Sequence, residues 1–124
     1  LVHQVRESMS PLVLVDARLD ILAASRFLRL TGGPLSQFGT VFDRRWNKEI
    51  DQLAKQFRAC AEDGAIAARI VLPFSHEDAP WVCTARLTYC PIGPRLYGMG
   101  EMSFAKQRSG EEATPRVVAI NAEH

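Results

Sequence analysis

No two of the three cysteines, Cys60, Cys83 and Cys90, stand in a CxxC pair, and their number is odd. That excludes a regular disulfide framework and offers no zinc-ligand spacing. The expectation is reduced, partly buried thiols in a cytoplasmic protein. Histidine is as sparse: His3, His76 and His124 fall in an N-terminal segment, a loop and the C-terminal tail. No apolar run nears the ~20 residues that span a bilayer, and no secretory signal pattern is found. Membrane insertion is therefore not expected. Charge of one sign is lacking too. A net charge of +1 offers no bulk attraction to nucleic acid or anionic lipid. The one adjacent basic pair, Arg44-Arg45, suits a solvated helix start better than a phosphate patch.

What remains is an ordinary globular composition, 47% hydrophobic and 23% charged over 124 residues. A chain of that length makes one domain and buries roughly 65–70% of its unfolded surface, enough for a core. It begins at Leu1 without an initiator methionine, which reads as a domain excised from a longer protein. Three stretches are expected: an N-terminal helical or linker segment (1–10), a folded domain (11–106), and a linker and tail (107–124).

The segment PLVLVDARLDILAASRFLRLTGG, residues 11–33, is the most informative. Two short apolar runs, 12–15 and 21–24, flank a polar turn carrying Asp16 and Asp20. Strands this close form a hairpin, because a parallel pair needs a crossover of a dozen or more residues. Asp16 and Asp20 also suit paired carboxylates for acid–base work, but their places at the two ends of a turn favour turn formation. Ser25 is placed to cap a short helix over 26–30, and Gly32-Gly33 to end it. A longer helix follows, from Arg45 or Lys48 to Asp63, with Asp43 or Asn47 as its cap. Its apolar stripe is Ile50, Leu53, Phe57 and Cys60/Ala61, and Gly64 is its stop.

From residue 66 the period falls to two. Ile66, Ala68, Ile70, Leu72 and Phe74 share one face of a strand. Trp81, Cys83, Ala85, Leu87 and Tyr89 share a face of the next, leaving Thr84, Arg86 and Thr88 to solvent or a partner. The polar loop between them, 75–80, carries His76, Glu77 and Asp78, which read as a solvated turn rather than a metal site. A last strand spans 97–105. Its glycines, Gly98 and Gly100, suggest close approach by another backbone or a ligand. The apolar run 117–120 has no assigned partner.

The order of these features resembles a PAS domain. LVLVDARLDILAAS is similar to the family's opening, in which an aspartate follows the first strand and the second strand leads to an asparagine. Asp16 fills the first place and Ser25 stands at the second. RFLRLTG resembles the short helix ending in threonine–glycine, APWVCTARLTYCPI the tryptophan-bearing strand, and LYGMGEMSFAKQ the final glycine-bearing strand. The usual terminal aspartate–isoleucine–threonine is replaced by Phe104-Ala105-Lys106. The resemblance covers residues 11–106 and implies an α+β fold, a PAS-like five-stranded antiparallel sheet with helices packed on one face. It further implies a sensory, signal-transduction module of a larger regulatory protein, such as a histidine kinase or transcriptional regulator, and not an enzyme.

Family members hold heme, flavin or metabolites between the sheet and the long helix. The long helix here has no histidine for heme, and nothing matches the cysteine-bearing run of the flavin photoreceptors, so both cofactors are disfavoured. A ligand pocket lined by Phe38, Val41, Phe42, Phe57, Ile70, Leu72, Trp81, Cys83 and Leu87 is the expectation, with Thr84 or Tyr89 adding a polar contact. The same residues would equally fill a core. Leu1, Val5 and Met9 fall at helical spacing and are expected to form a homodimer contact, with residues 106–114 leading to a covalently linked effector domain. The competing fold is a small α+β cone of the nuclear-transport-factor type, an enzyme or ligand-binding protein. Its catalytic versions bury a histidine–aspartate pair, and every histidine here lies outside the predicted sheet and long helix.

Overall fold

The computed structural model describes residues 1–30, 42–44, 47–108, 110 and 113–122. The expected hairpin is present: β1 (Leu12–Asp16) pairs antiparallel with β2 (Ile21–Ala24). Its turn is closed by Asp16, whose Oδ1 accepts from the backbone N–H of Arg18 at 2.9 Å and of Asp20 at 3.0 Å. Short polar side chains form such turns by bonding their own backbone a few residues on. Leu19, in the same turn, adopts a φ of 65° and is fully buried. A leucine in left-handed backbone is uncommon, and here burial of its side chain holds it there.

Ser25 then starts α2 (Arg26–Leu30). Its Oγ accepts from the N–H of Leu28 at 3.3 Å, the third helical position, as an N-cap should. The Thr31, Gly32 and Gly33 expected to end this helix lie outside the described residues, as do Phe38 and Val41. The long helix, α3, runs Ile50–Glu62. It starts two residues later than Lys48 and without a side-chain cap bond. Asn47 instead accepts from the N–H of Glu49, two residues on, at 3.1 Å. Its end is as expected. Gly64 takes a φ of 91°. Ala65 N–H bonds to the Cys60 carbonyl and Gly64 N–H to that of Ala61, the paired bonds of a Schellman stop.

Three long strands complete the run: β3 (Ala67–His76), β4 (Ala79–Ile92) and β5 (Arg95–Lys106). All three are longer than the alternation predicted. The loop expected over 75–80 shrinks to Glu77-Asp78, because His76 still pairs with Ala79. The expected count of five strands is corrected to six. β6 (Arg116–Ile120) pairs antiparallel with β3, from Ala67↔Ile120 to Val71↔Arg116. The sheet order is β2-β1-β5-β4-β3-β6. Residues 116–120 are thus part of the folded sheet rather than of a tail, and β6 occupies the outer edge of β3.

The fold is α+β, with one antiparallel sheet. Phe57, Ile50, Leu53 and Ala54 of α3 and Leu28 of α2 pack over one face, against Val13, Val15, Ala68, Ile70, Leu72, Cys83, Ala85, Leu87 and Met102. Ile66 is not among them: it precedes β3 and is half exposed. Within 11–106 the two described helices thus share one face, as expected. A first helix, α1 (Val2–Glu7), lies on the opposite face, where Val5 is buried against Leu14 and Ala23. No helix among the described residues is long and apolar enough to cross a membrane.

Candidate functional site

Of the expected pocket residues, Phe42, Phe57, Ile70, Leu72, Cys83 and Leu87 lie in the buried core, while Phe38 and Val41 are outside the described residues. Phe57, Ile70, Leu72, Cys83 and Leu87 are all essentially inaccessible and belong to one packed cluster with Phe42. Phe57 fills the space above Gly98, and the Tyr89 hydroxyl donates to the Phe57 carbonyl at 2.5 Å. Their rings lie 4.7 Å apart, tilted by 40°. Trp81 stands apart from the cluster. It sits at the β3–β4 turn, edge-on to His76 and beneath the Lys106 ammonium, 5.6 Å from the ring centre. The close approach predicted at Gly98 and Gly100 is found, but the neighbours are protein: the Phe57 ring at the first and the Arg86 carbonyl at the second. Thr84 is half-buried on the far side of β4, whose register pairs it with Val71 and Ser103.

The expected dimer stripe is divided by the fold. Val5 is spent on the domain's own sheet, while Leu1 and Met9 are 45% and 65% exposed. Helical spacing marks an apolar face without saying whether a partner or the same chain covers it. The two described histidines, His3 and His76, do not converge either. His3 is exposed on α1, His76 lies 3.9 Å from the Glu77 carboxylate, and His124 is outside the described residues. Among the described residues, no group of three or more His, Cys, Asp or Glu side chains could hold a metal ion.

A cavity of about 660 Å³ opens instead at one end of the sheet. Strand lengths create it. β1 pairs with β5 only as far as Asp16↔Tyr97, whereas the β4–β5 hairpin runs on to Ile92↔Arg95. The overhanging hairpin, the β1–β2 turn and the last turns of α3 enclose the notch, which is lined by Arg18, Arg58 and Arg95 together with Leu22, Leu96 and Tyr97. The turn is held to α3 from two points. Arg58 Nη1 donates to the Ala17 carbonyl at 2.8 Å. Arg44 bridges the Asp51 carboxylate, the Arg18 carbonyl and Asp20, the last at 2.7 Å. The hydrogen bond from Arg44 holds the Asp51 carboxyl below its ordinary range, and its partners raise the Arg44 guanidinium in turn. Arg44 therefore ties helix to turn instead of starting a helix in solvent.

Beside this notch, on the α1 side of the sheet, lies a second groove of about 570 Å³. Leu1, Val2, Leu22 and Ile92 line it, each between 41% and 50% exposed. Leu22 and Tyr97 belong to both grooves. Neither groove was visible beforehand. Arg18, Arg58 and Arg95 are spread over the chain, and only the overhang of one hairpin past another brings them together. No family model matches the chain, and no curated protein or solved structure matches it.

Proposed function

We propose that the chain is a PAS-like sensory module of a larger regulatory protein, such as a histidine kinase or a transcriptional regulator. It binds a small ligand or a partner and passes the event to a linked effector through the geometry of a homodimer. The reading is supported by one observation above others: a hairpin leads through a short helix and a long helix into three long antiparallel strands, and α3 covers the sheet face. The resemblance in the sequence implies that same order. The sixth strand extends the sheet at β3 without interrupting it.

The apolar groove lined by Leu1, Val2, Leu22 and Ile92 supplies the self-contact in this reading, in place of the stripe that Val5 cannot complete. Contiguous exposed apolar residues of this kind mark association surfaces in soluble domains. A two-fold contact would use the same groove on both copies, and a ligand would shift an existing equilibrium between two dimer geometries.

Native mass spectrometry of freshly purified protein, followed by sedimentation at rising concentration, tests the reading. A co-purifying ligand mass and a dimer that Leu22→Glu converts to monomer are the expected results. Apo mass alone, together with a monomer at the highest concentration, removes both ligand and dimer.

A further inference from the structure

We infer that the notch at the end of the sheet binds a small organic anion: a carboxylate or a phosphate monoester carried on an apolar body. Charge is the first ground. Three arginines, Arg18, Arg58 and Arg95, line one cavity against two acidic residues, Asp16 and Glu62. Asp16 Oδ1 is already engaged by the two backbone N–H groups of its turn, so that carboxylate is committed to structure. Among the described residues, the Arg18 and Arg95 side chains make no direct hydrogen bond or ion pair, and Arg18 has only a longer-range attraction to the Asp51 carboxylate. All three cations are arginines, whose planar fork grips a carboxylate or phosphate through two parallel bonds.

Pre-organisation is the second ground. Arg58 is half-buried, and one of its nitrogens is fixed to the Ala17 carbonyl at 2.8 Å. A ligand meets a guanidinium already held in place, so less side-chain freedom is lost on binding. Size and lining are the third. A volume of about 660 Å³ falls within the roughly 300–1,000 Å³ of small-molecule sites. Leu22, Leu96 and Tyr97 give an apolar body something to rest on. Three arginines around one notch are too few and too local for a nucleic-acid backbone, which is tracked by longer basic surfaces.

Leu22 and Tyr97 also line the neighbouring apolar groove, so a bound anion touches two residues of the surface assigned to self-association. That consequence rests on the sensory reading; the binding itself does not.

Isothermal titration of the whole chain with benzoate, with phenyl phosphate, and with benzylamine as a cationic control is the test. At low salt, at least one anion is expected to saturate with a Kd of about 1 mM or tighter, and benzylamine to give none. Benzoate alone binding assigns a carboxylate ligand, and phenyl phosphate alone a phosphate ester. Arg18→Ala and Arg95→Ala change exposed side chains and leave the fold intact, and each weakens binding about tenfold. Arg95→Lys recovers part of the loss. No saturable heat with either anion overturns the inference, as does equal binding of benzylamine or full affinity in the Arg18→Ala/Arg95→Ala double variant. Sedimentation of the same samples separates the two claims. An anion that binds without changing the association state keeps the site and removes the sensory relay.

Discussion

The ring of Phe57 rests on the backbone of Gly98: a methyl group built at that glycine would stand 2.8 Å from Phe57 Cζ. It would also lie 3.3 Å from both Leu87 Cβ and Val15 Cγ2, so three side chains would have to shift to admit it. Gly98→Ala is expected to cost about 1–3 kcal/mol by overpacking. Gly100→Ala should cost more, because its methyl would fall 1.6 Å from the Arg86 carbonyl oxygen, and backbone moves less readily than a ring. Phe57→Ala, removing a fully buried ring, should cost about 3–5 kcal/mol. Urea melts of Gly98→Ala, Phe57→Leu and the double variant would read the coupling. The double variant should be less destabilised than the sum of the singles; strict additivity would mean that the two positions do not share this space.

Ser25 joins two elements through one oxygen. Its Oγ accepts from Leu28 N–H at 3.3 Å, inside α2, and from Leu12 N–H at 3.2 Å, at the start of β1. Ser25 is fully buried, so water does not readily replace the bond to Leu28 N–H. Leu12 N–H also reaches the Ser10 carbonyl at 2.8 Å, so Ser25→Ala strips the acceptor from Leu28 N–H alone and should cost about 1–2 kcal/mol, the loss of a cap. An unchanged urea midpoint would mean that a backbone shift re-satisfies Leu28 N–H.

Much of this architecture is written locally, and some of it is not. The spacing of Ile50, Leu53 and Phe57 and the glycine at 64 specify α3 and its stop, because a helix and its end are decided by neighbours in sequence. The alternation from Ala68 to Leu72 and from Cys83 to Leu87 specifies which face turns inward for the same reason. Val117 carries no such information: a short apolar run reveals burial, and its pairing with Ile70 depends on β3 already being an edge. Periodicity reports that Phe57, Leu72 and Cys83 are buried, not whether they leave room between them for a ligand. Arg18, Arg58 and Arg95 meet only through the different lengths of two hairpins, which the sequence expresses nowhere near those residues.

The β3–β4 turn is built from residues that oppose its geometry. Glu77 and Asp78 take φ values of 51° and 60° in a two-residue loop, a conformation that asparagine and glycine adopt more readily. The compensating contact is weak: the His76–Glu77 pair is 3.9 Å apart, and the glutamate side chain is 85% exposed. Exposed pairs contribute little. Replacing the turn by Glu77→Asn and Asp78→Gly should therefore stabilise the domain by about 0.5–1 kcal/mol. A thermal melt that shows no gain would mean the turn's strain is already relieved by its surroundings.

Burial pushes the Cys83 thiol from 9.0 up to about 12. It raises the Tyr89 phenol too, with Cys60 adding to the effect. Both groups are held in their neutral forms by the fold. A group whose folded value exceeds its unfolded one contributes stability that is complete below the unfolded value and is lost as pH rises toward the folded one. The urea midpoint should therefore hold steady from neutral pH to about pH 9 and then fall, with a shallower fall in Cys83→Ala. Thiol chemistry gives an independent reading, since only an accessible thiolate reacts. Cys60 and Cys90 are partly exposed and Cys83 is buried. Ellman's reagent should titrate two thiols in the native protein and a third only on unfolding. Rapid reaction of all three at pH 8 would place Cys83 in contact with solvent and contradict the packing of β4 beneath α3.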